Sequence, residues 1–460
     1  MTFTIAKRAQ LAAIASIFGL LGACAAGPLP AEPQVAPATP IGGGATTSNP
    51  NTIASIPPFE SSGLPVFDTW RNDFASRAIR DGRNPAVVYD TLRDLKPLDI
   101  YLAPRVETAI SRSAATEQAE FSKPIWEYVE TAVSDTRQAN ALSMANERTD
   151  LFQRIENEYG VDAGAVIAIW GMETNYGGFI GDYDAPEALA SMAVEGRRRD
   201  LAERELIAVM MILERGLARR NQLVAGWAGA MGHTQFMPST YLEYAVDFTG
   251  DSNIDVWSTE DDALASAANY LKASGYRSGE PWGTEVTVPG NFDFSLADNR
   301  TKRTVAEWQD LGLLPEAGST FPTDRNTRGR MWTPAGASGP KYLLFDNFDV
   351  FLTYNRSNSY AYSVGLLSDV VMRRPAPVTA WPTTVSRISV GETRELQAAL
   401  NGMGYNAGVE DGIAGTGTRA ALQKFQKDRG LLADGYPTRE ALSYVRSASQ
   451  RGVSVSGVSR

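Results

Sequence analysis

Glu173 is the side chain in this sequence whose setting best suits acid–base chemistry. It lies in the stretch Ile167 to Gly178, which reads I-A-I-W-G-M-E-T-N-Y-G-G. Val166, Ile169, Trp170 and Glu173 follow the i, i+3, i+4, i+7 spacing of one helical face. That spacing predicts a helix with Glu173 on its inward side at the last turn, followed by an Asn-Tyr-Gly-Gly break. A carboxylate beside Trp170 and Tyr176 is partly desolvated, which raises its pKa. Working values of ~6–7 make a general acid at neutral pH. The competing reading is a core-edge Glu paired with an arginine or capping a helix.

A second stretch, Ala225 to Tyr244, is rich in glycine and aromatics and leads into a helix, with Pro238 at or near its first position. Small residues there let the backbone approach a ligand closely, and Gln235 supplies an amide that can donate and accept. The competing reading of Gln235 is a packing amide bonded to backbone. Composition narrows the chemistry further. The net charge of −10 over 460 residues argues against a nucleic-acid binder. One histidine, His233, cannot build a His-rich zinc site, and one cysteine, Cys24, has no partner for an intrachain disulfide.

The elements that must position these residues are mainly helical. Phe67, Trp70, Phe74 and Ile79 mark one amphipathic stretch, and Ile125, Trp126, Val129 and Val133 another, with Pro124 in its first turn. Leu151, Ile155 and Tyr159 lead to a helix stop at Gly160. Helices are also expected over 186–192, 199–217 and 262–274. Between about 276 and 346 the pattern changes. Thr284 to Pro289 alternates like a strand, and Gly, Pro and Asn punctuation predicts a small β-containing insertion. Helix returns over 345–370, and a Pro-rich joint from Arg374 to Pro382 marks a boundary.

The N-terminus is a targeting segment, with Lys7 and Arg8 ahead of an apolar run, Ala9 to Leu21, that is too short to span a membrane. It ends in Leu21-Gly22-Ala23-Cys24, which resembles a bacterial lipobox. The resemblance implies cleavage before Cys24 and lipidation there, and Ala25 after the cysteine favours the periplasmic side of the outer membrane. The alternative is an ordinary secretory signal with a stray cysteine. The Ala/Pro/Gly/Ser/Thr-rich run that follows reads as a flexible tether.

Three blocks occur in order: W-G-M-E-T-N-Y-G-G, A-G-A-M-G-x-x-Q-F-M-P-S and A-N-Y-L. Together they resemble the membrane-bound lytic transglycosylase B family over about Phe67 to Arg373. The C-terminal L-Q-x-x-L, G-Y, D-G, G-x-x-T and L-x-x-F-Q pattern resembles a small peptidoglycan-binding domain. The resemblance implies a mainly α protein, with a lysozyme-like helical catalytic domain carrying a small β-containing insertion and a small three-helix C-terminal domain. The implied layout is a signal peptide over 1–23, a tether over 24–65, a catalytic domain over 66–375, a linker over 376–387, a peptidoglycan-binding domain over 388–446 and a disordered tail over 447–460.

By the same resemblance Glu173 is acid and then base, Gln235 contacts the sugar at the cleaved bond, and Tyr270, Tyr354, Asn355 and Tyr360 line the groove. Gly226 falls where some relatives carry serine. Tyr362 has no family counterpart and reads as core. The run Asp247 to Asp255 resembles an EF-hand-like loop that binds calcium in one branch of the family. Asp247, Thr249, Asp251 and Asn253 take ligand positions. Ser252 replaces the expected glycine and Ser258 the closing Glu, so Asp261 or Asp262 would have to close the site. Calcium could then serve as a structural ion, and no cofactor is required for the chemistry. The substrate expected is the peptidoglycan glycan strand, cleaved at the β-1,4 bond between N-acetylmuramic acid and N-acetylglucosamine with 1,6-anhydromuramoyl ends. The rivals are a hydrolytic muramidase, with Asp182, Asp184 or Glu187 as second carboxylate, and a non-catalytic peptidoglycan-binding lipoprotein.

Overall fold

The computed structural model describes residues 56–102, 124–385 and 388–456. The lipobox at Cys24 and the tether up to residue 55 lie outside the described residues. The chain runs through α1 (Pro65–Arg80), α2 (Pro85–Leu92), α3 (Asp99–Leu102), α4 (Ile125–Ala132), α5 (Asp135–Glu147), α6 (Thr149–Tyr159) and α7 (Ala163–Thr174). Next, β1 (Tyr183–Asp184) and β2 (Val224–Ala225), which pair antiparallel, bracket α8 (Ala185–Glu195) and α9 (Arg199–Glu214). Two more helices follow, α10 (Pro238–Tyr244) and α11 (Glu260–Ala273). The insertion holds β3 (Gly283–Thr287), β4 (Lys302–Thr304), α12 (Val305–Asp310), β5 (Leu314–Pro315), β6 (Arg328–Trp332) and β7 (Tyr342–Leu344). The chain ends with α13 (Asp346–Tyr354), α14 (Asn358–Val371), α15 (Val390–Gly402), α16 (Thr416–Asp428) and α17 (Arg439–Ser456). Mainly helical, with a small β insertion and three C-terminal helices, it matches the expected fold class.

The chain divides into two compact units. Among the described residues the first comprises 56–102, 143–274 and 353–356. Its centre is α7, packed against α6 and α11. The sequence spacing predicted one inward face. Instead, every residue from Gly164 to Gly171 is buried, because Ala and Gly at the remaining positions let neighbours close in on all sides. Gly160, at φ 64°, stops α6, as expected. Pro238 occupies the first turn of α10. Pro124, in the second unit, sits one step earlier than predicted, as the N-cap of α4.

Among the described residues the second unit comprises 124–142, 275–352, 357–385 and 388–456. Its sheet has the order β4-β6-β7-β3-β5, all pairs antiparallel. One side packs Val286, Val305, Trp308, Met331, Leu343 and Phe345 into an apolar core. A separate aromatic cluster joins Trp282, Trp332, Tyr342, Phe348, Tyr362 and Trp381, with the Tyr342 and Tyr362 hydroxyls 2.6 Å apart. Tyr362 is therefore core, as expected. The first turn of α13 is pinned by charge: Lys302 reaches Asp346 and Asp349 at 2.6 and 2.7 Å, and Arg330 reaches Asp349 at 2.6 Å.

The three C-terminal helices enclose their own core around Leu396, Leu400, Leu422, Phe425 and Leu442. One expectation about their surroundings, the disordered tail over 447–460, changes over residues 447–456. The linker is a fixed strap where described: the buried Glu285 carboxylate accepts the N–H groups of Val378 and Thr379 at 2.8 and 3.0 Å, and Trp381 packs on Trp126. The tail is helical as far as Ser456, since Ala448 still packs on the small core. The module is also docked on the insertion by one face of α16. Gln423 donates to the Phe294 carbonyl at 2.9 Å, Lys427 to Ser295 at 2.6 Å and Arg419 to the Pro334 carbonyl at 3.3 Å.

Asp369 sits beneath the start of the strap, accepting from Trp282 Nε1 at 2.8 Å and facing Arg374 at 3.4 Å. Burial pushes its pKa up to about 6, against the pull of those two partners. The folded state thus holds this proton more tightly than the unfolded chain. Its contribution to stability is fully present below the unfolded value of 3.8 and is lost as pH rises through about 6. Asp369→Asn removes the titration while keeping an acceptor for Trp282. Relative to wild type, the variant should gain roughly 1 kcal/mol on going from pH 5 to pH 7.5. Paired denaturant melts at the two pH values check this, and an unchanged difference refutes it.

Candidate active site

Glu173 lies in the last turn of α7, half-buried, one residue before the helix ends. The helix stops because three successive residues turn left-handed: Asn175 at φ 52°, Tyr176 at 61° and Gly177 at 76°. Asn and Gly adopt this region readily, whereas a tyrosine there is uncommon and must be held. Tyr176 folds back over the helix end. A Cβ on Gly171 would stand 2.6 Å from its ring, so only glycine at 171 admits it. The ring of Tyr176 also meets Trp170 edge-on at 5.8 Å.

Thr174 carries this turn to the second sequence block. Its hydroxyl donates to the His233 carbonyl at 2.7 Å and accepts the Gly177 N–H at 3.0 Å. Trp170 Nε1 donates to His233 Nδ1 at 3.1 Å. Two residues on, Gln235 holds a positive φ of 53° inside a tight turn closed by reciprocal Met231–Phe236 backbone bonds of 2.8 and 2.9 Å. Its Nε2 donates to the carbonyls of Ile180 and Gly232 at 3.2 and 3.0 Å. The amide is thus engaged with backbone on its donor side. Its Oε1 is turned to Gly226, 3.2 Å from where a Cβ there would stand. The competing sequence reading, a packing amide bonded to backbone, describes the nitrogen of Gln235, and the oxygen faces the glycine-lined side.

Four rings back this segment. Tyr354 donates to the Thr234 carbonyl at 2.7 Å and packs on Phe236 and Tyr270. Tyr270 donates to the Thr353 carbonyl at 2.9 Å and meets Tyr244 edge-on at 4.9 Å. Tyr354 and Asn355 are buried and Tyr270 is half-buried. Glu173, Gln235, Tyr270, Tyr354 and Asn355 therefore belong to one unit. Tyr360, buried in α14, belongs to the other. Sequence reasoning missed His233 and Glu205 as parts of the site's support. The buried Glu205 carboxylate accepts the N–H and hydroxyl of Ser239 at 2.9 Å each, fixing the start of α10 just after Gln235. Burial pushes its pKa upward, against those two bonds.

Two of the nearby acids have structural duties. Asp184 caps α8 by accepting the Glu187 N–H at 2.9 Å, and it pairs with Arg220. Glu187 accepts the Lys96 N–H at 2.9 Å. Asp182 is exposed. The EF-hand-like loop is formed, but its carboxylates serve its own backbone. Asp247 accepts the N–H groups of Gly250, Asp251 and Ser252, Asp251 accepts that of Asn253, and Asp262 accepts those of Phe248, Thr249 and Asp255. Ser252 takes a positive φ of 69° where the pattern wants glycine. Among the described residues no group of three His, Cys, Asp or Glu side chains converges as a metal site. The two carboxylates among Asp247, Thr249, Asp251 and Asn253 both accept backbone N–H groups of the loop.

Comparison with known proteins places the two halves of the chain. Residues 66–369 match the Transglycosylase SLT domain family, and residues 389–443 match a peptidoglycan binding domain. Membrane-bound lytic murein transglycosylase B of Escherichia coli (strain K12) is 27% identical over 361 residues, covering 77% of this chain and 95% of that protein. The crystal structure of SltB3 from Pseudomonas aeruginosa in complex with NAG-anhNAM-pentapeptide is 38% identical with a TM-score of 0.75, covering 83% of this chain and 99% of that one. The Escherichia coli lytic transglycosylase Slt35 in complex with calcium is 25% identical with a TM-score of 0.53, covering 66% and 92%.

The buried bond from Tyr354 to the Thr234 carbonyl ties the aromatic layer to the Gln235 turn. Tyr354→Phe strands that carbonyl and should cost roughly 1–3 kcal/mol. Thermal melting of the variant checks this, with an unchanged midpoint as the contrary result.

Proposed function

The chain belongs to the Transglycosylase SLT domain family and is a peptidoglycan lytic transglycosylase, and we propose that Glu173 performs both its acid and its base step. The observation that carries this reading is a half-buried carboxylate at the end of an otherwise enclosed helix, joined through Thr174 and His233 to the Gln235 turn. A glycosidase that activates water uses two carboxylates ~5–9 Å apart. Asp184 and Glu187, two of the acids that could supply a second, are committed to a helix cap and to the Lys96 N–H. With Asp184 and Glu187 so engaged, the reading takes the nucleophile from the substrate.

In the proposed cycle Glu173 gives its proton to the leaving oxygen as the bond from muramoyl C1 breaks. The 2-acetamido oxygen of the same sugar stabilises the positive charge at C1. The Glu173 carboxylate then takes the proton of the muramoyl 6-hydroxyl, whose oxygen bonds C1. The product end is a 1,6-anhydro sugar, and Glu173 is again protonated. An internal hydroxyl held at C1 outcompetes water by proximity. The Oε1 of Gln235, facing Gly226, is the acceptor we assign to a sugar hydroxyl at the cleaved bond. Tyr270 is half-buried, and Tyr354 and Asn355 support the site from buried positions in the same unit, whereas Tyr360 lies in the other. The C-terminal module supplies a second contact with the same polymer and so raises the local concentration of strand.

Attachment at Cys24 is the remaining part of the reading: a lipid anchor that keeps the enzyme at the periplasmic side of the outer membrane, as the lipobox-like Leu21-Gly22-Ala23-Cys24 suggests. No described helix is long and apolar enough to cross a membrane.

Glu173→Gln keeps the shape but cannot deliver a proton, and turnover on purified sacculi should fall by about 10²–10⁴ or more. Anhydro-ended muropeptides should dominate the wild-type digest by mass spectrometry. Main products heavier by one water would favour hydrolysis instead and reopen Asp182, Asp184 and Glu187.

Cys24→Ala should move the protein from the membrane to the soluble fraction. A variant that still sediments with membranes contradicts the anchor.

A further inference from the structure

The only histidine of the chain has no part in the cycle above, yet it bonds to Trp170 and Thr174, which flank Glu173 in α7. Its carbonyl accepts the Thr174 hydroxyl at 2.7 Å, and its N–H donates to the Val256 carbonyl at 2.9 Å. Its Nδ1 accepts from Trp170 Nε1 at 3.1 Å, one helical turn before Glu173. A ring that accepts at Nδ1 is neutral with its proton on Nε2. The Trp257 backbone beside the ring favours a proton on it. Burial holds its pKa below the ordinary value, against the opposing charges of Glu260 and Asp255, with Arg148 on the same side. The ring also sets the turn after Glu173. A Cβ on Gly177 would stand 2.5 Å from His233 Cε1 and 2.6 Å from Nδ1, so the left-handed chain passes directly over the imidazole. Trp170 is clamped from another side by the Arg148 guanidinium, 5.3 Å from its ring, itself paired with Glu260 at 2.6 Å.

We propose that His233 is a positioning residue: its neutral ring locks Trp170 and the left-handed turn Asn175–Gly177, and so fixes the last turn of α7 and the direction of the Glu173 carboxylate. The inference rests on the assignment of Glu173 as the acid and base. The physical reason for a histidine is specific. The turn contains a tyrosine at positive φ, a conformation that persists only when the surroundings over-determine it. A flat ring can lie under Gly177 and also place an acceptor in plane with the Trp170 N–H. Leucine can fill the volume but offers no acceptor. Asparagine offers an oxygen where Nδ1 stands but leaves the far side of the ring empty.

The test compares His233→Leu, His233→Asn, Trp170→Phe and Glu173→Gln in the full chain, with kcat and KM measured on soluble peptidoglycan fragments and folding followed by circular dichroism. His233→Leu should lower kcat by roughly ten- to a hundredfold, the scale of a misplaced reacting group, with KM little changed. His233→Asn should recover most of that loss. Trp170→Phe removes the same bond from the donor side, should lower kcat in the same direction, and decides the matter if His233→Leu does not fold. Wild-type kcat in folded His233→Leu or in Trp170→Phe overturns the proposal. So does an equal loss in the leucine and asparagine variants, which would make the ring mere filling. An active Glu173→Gln would instead overturn the assignment of the acid, so the two failures are distinguishable.

Discussion

A helix buried on every face has to leave the core abruptly, and this constraint shapes the whole region around Glu173. From Gly164 to Gly171, α7 offers no solvent side on which a polar group could sit. Only its last turn can carry a carboxylate toward solvent. The chain must then reverse at once, because continuing the helix would carry it out of the fold and any wider loop would bury unpaired backbone groups. The reversal uses three left-handed residues, and the Tyr176 N–H returns to the Trp170 carbonyl at 3.3 Å. The compact turn explains the small residues on either side of it. Gly171 makes room for the Tyr176 ring, and Gly177 for His233.

The same chain repeatedly uses carboxylates as backbone staples. Glu205 holds the start of α10, Glu285 holds the strap, Asp262 holds the acidic loop, and Asp434 accepts the N–H groups of Ala337 and Tyr436. Burying a carboxylate is costly unless donors replace the lost water, and backbone N–H groups of loops need acceptors for the same reason. Each staple meets both needs together. The aromatic layer works alongside them, with Tyr354 and Tyr270 donating to main-chain carbonyls on either side of the site. The result is a set of irregular loops with little regular structure that are nonetheless tightly specified.

This explains what could and could not be read from the sequence. The helix bearing Glu173 was legible because an apolar run ending in Asn-Tyr-Gly-Gly has local causes. Its burial on all sides was not, since the i, i+3, i+4, i+7 pattern records only the large side chains and not the neighbours admitted by Ala165, Ala168 and Gly171. The bond between Trp170 and His233 spans 63 positions and has no spacing signature. The visible hint was a lone histidine inside a glycine-rich block. The acidic loop shows the reverse case. Its ligand-like spacing was legible, but which way each carboxylate turns depends on backbone N–H groups, and here Asp247 turns to its own loop. The strap at Val378 and Thr379 looked like a linker because prolines mark boundaries, and its acceptor, Glu285, lies about 90 residues earlier in the sequence.

The burial of Tyr354 and Asn355 constrains how the site can recognise a sugar. A stacking platform needs an exposed ring face, and the buried Tyr354 offers none. Tyr354 spends its hydroxyl on the Thr234 carbonyl, one residue before Gln235, and its ring on Phe236, one residue after. Its leverage is therefore on the position of the Gln235 turn. Gln235 in turn spends its nitrogen on Ile180 and Gly232, which fixes the orientation of the amide and leaves the oxygen aimed at Gly226. An amide locked on its donor side presents an acceptor whose direction is set before substrate arrives, so no rotamer has to be ordered on binding. Glu173 reaches the same condition by a different route, through a helix end that its surroundings do not allow to move. On the proposed reading the reacting groups are few, and Tyr354 acts by fixing where Gln235 points.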